Sequence, residues 1–301
     1  MILVDLSQIC YASLYALMDA PINEDILRHV LINIIRSNFM KFKHEFGTNM
    51  VIVGDGYYSW RRAKFQYYKA RRRQKREEDT KFDWKNIFAM FSKIKTEFSV
   101  VLPYAFVDVA AAEADDVIAV ICKNTPIEEK ILILSGDRDF VQLQESPNVQ
   151  QFNPVSHLWV KPEVSPQFDL EEKIICGDVG DGIPNILSDS DTFITEGKRQ
   201  TVMTKKRKEE LKQKINECRV KIMNMQANCG SSGPPPQYPL NYDRNCLLID
   251  FNNIPPDIQL EILQEYKNVN KSEELAKRRS RLLSYFMEKR LNNLIENIGD
   301  F

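Results

Sequence analysis

Ile131-Leu-Ile-Leu-Ser-Gly-Asp137-Arg-Asp139-Phe140 decides how this chain is read. Four consecutive aliphatic residues, with no polar alternation, describe a strand buried on both faces, the kind found in a parallel sheet covered by helices. The run stops at two carboxylates. Met1-Ile-Leu-Val-Asp5 and Met50-Val-Ile-Val-Gly-Asp55 repeat the pattern, so three apolar strands each bring an aspartate to one edge. In open sheets of this type, sites form beyond the carboxyl ends of the strands. Aspartate beside glycine is ordinary turn chemistry, and one such motif needs no further account; three together do. Gathered carboxylates repel and raise one another's pKa unless a cation neutralises them, and oxygen donors without His or Cys suit Mg²⁺ or Mn²⁺.

The expected fold class is α/β, a central mostly parallel sheet flanked by helices. Of the 301 residues, 43% are hydrophobic and 28% charged, which excludes disorder throughout. The net charge of −1 hides an asymmetry: acids collect at strand ends and bases in two long runs, a distribution suited to binding a polyanion beside metal ions. Six cysteines, at 10, 122, 176, 218, 229 and 246, form no CxxC pair and read as reduced thiols of a cytoplasmic protein. The first residues open directly into a strand, and no apolar run approaches membrane-spanning length, so neither secretion nor membrane insertion is expected.

Helical spacing predicts helices over Leu6–Met18, Asn23–Phe46 and Trp84–Phe98, with strands over Ser99–Val107 and Asn148–Pro154. Between Gly56 and Arg76 stand nine bases (Arg61, Arg62, Lys64, Lys69, Arg71, Arg72, Arg73, Lys75, Arg76), no acid, and six aromatics (Tyr57, Tyr58, Trp60, Phe65, Tyr67, Tyr68). A solvated helix usually mixes both signs; Lys and Arg neutralise phosphates, and aromatic faces stack on unpaired bases, so this stretch reads as a nucleic-acid surface. Nine like charges in twenty-one residues repel, and few apolar contacts are expected to hold the stretch in one shape without nucleic acid.

Ala110-Ala-Ala-Glu113-Ala-Asp115-Asp116 opens a further helix. Acids in a first turn are stabilised by the helix dipole, and all three reach a metal only if the helix end, rather than its side, faces the site. Lys173-Ile-Ile-Cys-Gly-Asp178-Val-Gly-Asp181-Gly182 adds two acids among glycines, which imply tight turns and close backbone approach. Thr204–Ala227 reads as a helix with a basic exposed face, Cys229–Pro239 as a loop, and the remainder as a smaller α-rich region with helices near Asp257–Tyr266 and Ser272–Ile298.

In this order, VDLSQ, VGDG, WRRAKFQYYKARR, EADDVIAV, LSGDRDF and GDVGDGIPN resemble the motifs of the structure-specific 5′ nucleases, the flap endonuclease and 5′-to-3′ exonuclease family, and most closely its phage members. The similarity continues through LLIDFNNIP to Asp300-Phe301 and so covers nearly the whole chain. The resemblance implies a nuclease core over 1–175, with a basic helical arch over about 56–98, and a helix-turn-helix-like, α-rich region over 176–301. It implies two Mg²⁺, replaceable by Mn²⁺: Asp5, Asp55, Glu113 and Asp115 on one, Asp116, Asp137, Asp139, Asp178 and Asp181 on the other. Lys69 and Arg72 match the Tyr-Lys-x-x-Arg pattern whose bases contact the scissile phosphate. Arg61, Arg62, Lys64, Tyr68, Arg71, Arg73, Lys75 and Arg76 would bind nucleic acid.

The expected activity is removal of RNA primers, an RNase H activity, and of short 5′ flaps during DNA replication. Substrates would be branched or nicked DNA and RNA–DNA hybrid with a 5′ end. A monomer in the host cytoplasm, with a single-strand binding protein and a sliding clamp as partners, is implied too; Phe301 either docks on such a partner or packs. One departure stands out: Gly182-Ile-Pro-Asn-Ile-Leu-Ser-Asp-Ser-Asp-Thr lacks the Gly-x-Gly turn by which the family grips duplex, and Lys198, Arg199, Lys205 and Lys206 are the neighbouring bases that would take its place. Two other readings compete. A PIN-class ribonuclease also gathers acids at strand ends, but lacks so long a basic-aromatic segment and the late GDVGD. A catalytically silent DNA-binding protein of the same fold would not need every acid.

Overall fold

The computed structural model describes residues 1–17, 22–213, 237–270 and 272–301. They form two compact units: Met1–Trp60 with Thr80–Pro166 and Ile254–Phe301, and Arg61–Asp79 with Gln167–Asn253. This division differs from the one expected at 175/176. The C-terminal helices group with the sheet, and the expected arch over 56–98 is split, its basic part grouping with 167–253.

The first unit is built on a six-stranded sheet of β1 (Ile2–Asp5), β2 (Met50–Val53), β3 (Ala105–Val107), β4 (Ile131–Leu134), β5 (Val149–Asn153) and β6 (Leu158–Val160), in the order β3-β2-β1-β4-β5-β6. Every pairing is parallel except β5 with β6. The chain steps outward from β1 to β3 and returns on the other side of β1 with β4, so the order reverses between β1 and β4, where crevices form at carboxyl ends. The three acid-tipped strands are therefore neighbours, with β1 central: Ile2 lies opposite Met50 on one side and Leu132 on the other. All residues of β1 to β4 are buried, as unbroken aliphatic runs require.

Helix α1 (Leu6–Ala16) follows β1, and α2 (Glu24–Phe46) starts where Asn23 Oδ1 accepts the Ile26 N–H at 2.9 Å, with Glu24 and Asp25 in the first turn. Leu27, Leu31, Ile35, Phe39, Phe42 and Phe46, spaced by three and four, bury one face in the main core. The strand expected over Ser99–Val107 is shorter than expected, because its first three residues belong to the preceding helix. Trp84–Val101 continues its apolar spacing through Ile94 and Phe98, and ends because Pro103 holds Leu102 extended; only Ala105–Val107 is strand. Helix Pro256–Val269 lies where one was expected. The expected last helix is interrupted: Ser272–Glu288 ends near Arg290, whose φ is +57°, and Asn292–Glu296 forms a separate turn. Phe301 packs, 3% exposed, with its ring 5.3 Å from that of Phe286.

The second unit has its own core of Phe65, Tyr68, Ile174, Ile175, Ile183, Ile186, Leu211, Tyr242, Leu248 and Ile249. Helices Trp60–Lys64, Ala70–Glu77, Pro166–Cys176 and Gln237–Ile249 are present, and 205–213 is helical. The rest of the helix expected to Ala227, and most of the loop expected over Cys229–Pro239, lie outside the described residues; Gln237–Ile249 begins inside that loop. Buried Asn241 and Asn245 satisfy backbone carbonyls that no ladder reaches: Asn241 donates to Ile186 and Ser188, Asn245 to Ile174 and Pro184.

Candidate active site

Asp5 ends β1 and also caps α1. Its Oδ1 accepts the Gln8 N–H at 3.1 Å and its Oδ2 the Ser135 hydroxyl at 2.9 Å. Burial pushes the Asp5 carboxyl up to about 7; the charges of Asp55 and Asp137 push the same way, against the pull of the two donors. Asp137, beyond β4, caps the turn Arg138–Glu145 by accepting the Asp139 N–H at 3.0 Å. Its own N–H donates to Ser135 Oγ at 3.1 Å, and its carbonyl accepts from Gln151 Nε2 at 2.7 Å.

Asp55 is placed by backbone. Beyond β2 the chain is laced to 107–112 through Gly54 N–H to Val107 O (3.0 Å), Gly56 N–H to Ala112 O (2.9 Å), Tyr58 N–H to Ala110 O (3.1 Å) and Trp60 N–H to Ala111 O (3.0 Å). Only glycine fits at 56, since a Cβ there would stand 2.0 Å from the Val109 carbonyl oxygen. The lacing brings Asp55 to the start of the helix Ala114–Asn124: Oδ1 accepts the Ala114 N–H at 2.8 Å and Oδ2 the Ser7 hydroxyl at 2.7 Å.

Glu113 is the N-cap of that helix, and its Oε2 accepts from Ser59 at 3.0 Å. One oxygen each from Glu113, Asp115 and Asp116 lies within 4.8 Å of the others, so the helix end, not its side, presents these acids. Asp116 is fully buried, and its Oδ2 accepts from Trp60 Nε1 at 3.0 Å and from the Glu113 N–H at 3.1 Å, which makes it a brace of this turn as well as a candidate ligand. Ser7, Ser59 and Ser135 were not singled out in the sequence, although Ser7 and Ser135 stand inside VDLSQ and LSGDRDF; Trp60, read there as one of the base-stacking aromatics, is instead buried at 5% exposure. The donors are all carboxylate oxygens, and Asp5 is buried against like charge, so the chemistry fits a hard divalent cation.

In the second unit Asp181 holds the two bases expected at the phosphate. Arg72 Nη2 donates to its Oδ1 at 2.8 Å, Tyr68 Oη to its Oδ2 at 3.0 Å, and Lys69 Nζ stands 3.8 Å away. The Lys69 N–H donates to the Asp181 carbonyl at 2.7 Å, with Lys69 in the left-handed region at φ +54°. Burial works to raise the Asp178 carboxyl, but Lys173 at 2.7 Å and backbone N–H donors hold it below its ordinary value.

Three expectations for the basic stretch are corrected. Arg61 is no nucleic-acid contact: it is 2% exposed and donates through Nε to Leu248 O at 2.8 Å. Tyr68 is no stacking platform, being 2% exposed in the core. The stretch has apolar contacts that hold it, since Phe65 and Tyr68 are core residues. Arg62, Lys64, Arg71, Arg72 and Lys75 remain exposed, Lys69, Arg73 and Arg76 half-buried, and Tyr57 and Tyr58 are exposed aromatics. Arg199, Lys205 and Lys206 are exposed, whereas Lys198 pairs with Asp189 and Asp191, the extra acids of that segment.

An open sheet with carboxylates at its switch point, in a chain that also carries an exposed basic-aromatic segment, defines a metal-dependent nuclease fold. Residues 1–173 match the N-terminal, resolvase-like domain of 5′–3′ exonucleases, and residues 164–301 match the C-terminal part of T4 RNase H. The chain therefore belongs to the 5′–3′ exonuclease family and is a 5′ nuclease that hydrolyses phosphodiester bonds. It is 33% identical over 309 residues to the ribonuclease H of Enterobacteria phage T4, covering 99% of this chain and 95% of that protein. Its fold resembles the T5 D15 protein co-crystallised with metal ions (TM-score 0.61, 15% identity, 90% of this chain and 99% of that one). It also resembles the bacteriophage T5 D15 flap endonuclease in a pseudo-enzyme–product complex with DNA and metal ions (TM-score 0.60, 14% identity, 89% and 98%). A match spanning both the sheet and the C-terminal region leaves no room for the PIN-class alternative.

Proposed function

We propose that this chain uses two Mg²⁺ to remove RNA primers and short 5′ flaps from nicked or branched duplexes in phage DNA replication. The observation that carries this is the adjacency of Asp5, Asp55 and Asp137 at the switch point, with Asp5 buried against its like-charged neighbours. Asp5, Asp55, Glu113, Asp115, Asp137 and Asp139 hold the ions, with Asp116 bracing the turn; Asp178 and Asp181 are assigned to metal by the family resemblance. When bound, such ions supply Lewis acidity at the phosphate oxygens and a water of lowered pKa. Ser7, Ser135, Gln8 and Ala114 aim the carboxylates by donating to them. Lys69 and Arg72 exchange Asp181 for phosphate when substrate arrives, while exposed Arg62, Lys64, Arg71 and Lys75 position the backbone and Tyr57 and Tyr58 stack on bases of a 5′ single strand.

The protein acts as a monomer in the host cytoplasm with a single-strand binding protein and a sliding clamp as partners. No described helix is long and apolar enough to cross a membrane, and Phe301, being buried, is not the docking residue. Incubation of a 5′-labelled RNA-primed nicked duplex and a 5′-flap duplex with Mg²⁺, and with EDTA, tests the reading. Short labelled products from both substrates in Mg²⁺ alone are expected; cleavage that survives EDTA, or none of either substrate, overturns it.

A further inference from the structure

Lys95 is used by nothing described so far, yet it touches the chain at the strand end that carries Asp55. It projects from the helix Trp84–Val101, between Ile94 and Phe98 of one helical face buried in the main core, so its backbone is firmly seated. Its Nζ donates to the Asp55 carbonyl at 2.6 Å and pairs with Asp108 Oδ2 at 2.5 Å. Its stem lies over Gly54: a Cβ at that residue would stand 3.0 Å from Lys95 Cε and 3.3 Å from Phe106 Cζ. The exposed Tyr57 ring lies 6.0 Å from the ammonium. One side chain thus engages both loops that leave β2 and β3, at Gly54–Asp55 and Tyr57 on one and at Asp108 on the other.

The geometry points to Lys95 as a positioning residue that fixes the Asp55 carboxylate for metal by clamping the backbone behind it. The carbonyl of Asp55 and its carboxylate hang from one Cα; with the carbonyl held by Lys95 and the carboxylate by Ser7 and Ala114, Asp55 has little freedom to swing. A lysine so near a cation site would ordinarily repel the cation, but its charge is balanced by Asp108, which lets it hold backbone without opposing metal binding. A Cβ at Gly54 would oblige the lysine stem to give by a few tenths of an ångström, so the two pack closely. This inference rests on the reading that Asp55 is a metal ligand.

The test measures Mn²⁺ binding to the nucleic-acid-free full chain by electron paramagnetic resonance, alongside the Mg²⁺ dependence of single-turnover flap cleavage. Lys95→Met is expected to weaken Mn²⁺ binding and to raise the half-saturating Mg²⁺ by about tenfold, in the range of lost outer-shell support, with the rate at saturating Mg²⁺ within about twofold. Lys95→Arg is expected to restore most of both. Should Lys95→Met fail to fold, Lys95→Gln, whose shorter side chain does not reach the Asp55 carbonyl, takes its place with the same expected effect. Wild-type Mn²⁺ affinity in Lys95→Met, or in Lys95→Gln where that variant stands in, overturns the clamp. Unchanged Mn²⁺ affinity in Asp55→Asn overturns instead the metal reading beneath it.

Discussion

The acids at the sheet edge and the bases of the 61–79 stretch are held by opposite means. Each acid is placed by regular structure and aimed by neutral donors: a strand end for Asp5, a laced loop for Asp55, a helix N-terminus for Glu113, with Ser7, Ser59, Ser135 and backbone N–H groups completing them. The two central bases are instead gathered on one carboxylate, Asp181, to which buried Tyr68 also donates. Neutral donors orient a carboxylate while leaving its charge for a cation. A counter-ion satisfies a base outright, so the base must exchange partners before it can serve a phosphate. Preorganised ligands and exchangeable bases are the division of labour that this contrast teaches.

The largest effect expected of breaking it is at the acids. Asp137→Asn should lower single-turnover cleavage by several orders of magnitude while substrate binding, measured by fluorescence anisotropy in Ca²⁺, stays within a few-fold, because an amide cannot carry the charge a divalent ion needs. Ca²⁺ itself should support binding without appreciable turnover, since it enforces octahedral geometry poorly; fast cleavage in Ca²⁺ alone would contradict the argument.

Next come the exchangeable bases. Lys69→Ala and Arg72→Ala should each slow single-turnover cleavage by at least about tenfold, roughly 1.4 kcal/mol of barrier, and weaken binding by less. Arg62→Ala, Lys64→Ala and Lys75→Ala, all at exposed positions, should do the reverse, reducing the slope of log affinity against log salt by about one unit or less each with the bound rate unchanged. Equal binding losses and unchanged rates in all five would reduce the stretch to an electrostatic landing surface.

The smallest effect concerns protons. Asp5 has a folded value of about 7 against an ordinary 3.8, so its contribution to the metal-free fold is fully present below pH 3.8 and is lost as the pH rises through 7. In EDTA, the melting temperature of the wild-type chain should therefore decline relative to Asp5→Asn between about pH 4 and 7. Parallel curves would show that Asp5 titrates normally.

Much of the sheet and its acid edge is legible in the chain because each signal is local. An aliphatic tetrad must be buried on both sides, and an aspartate next to it must stand where the strand ends, so β1, β2 and β4 and their acids follow from short stretches. Helix faces with unbroken spacing, such as that of α2, follow likewise. What composition alone misplaces are residues whose type suits two environments. Arg61, Trp60 and Tyr68 carry both an apolar body and a polar tip, and read as nucleic-acid contacts until the tertiary structure shows each tip satisfied in the interior, at Leu248 O, Asp116 and Asp181. The strand expected from Ser99 begins only at Ala105 because β-branched Val100 and Val101 also fit the last turn of a helix seated by Ile94 and Phe98. Lys95 at the Asp55 carbonyl, Ser135 on Asp5, and the grouping of 254–301 with the sheet join residues 40, 130 and more than a hundred positions apart, and only the folded chain brings such distant groups within hydrogen-bonding reach.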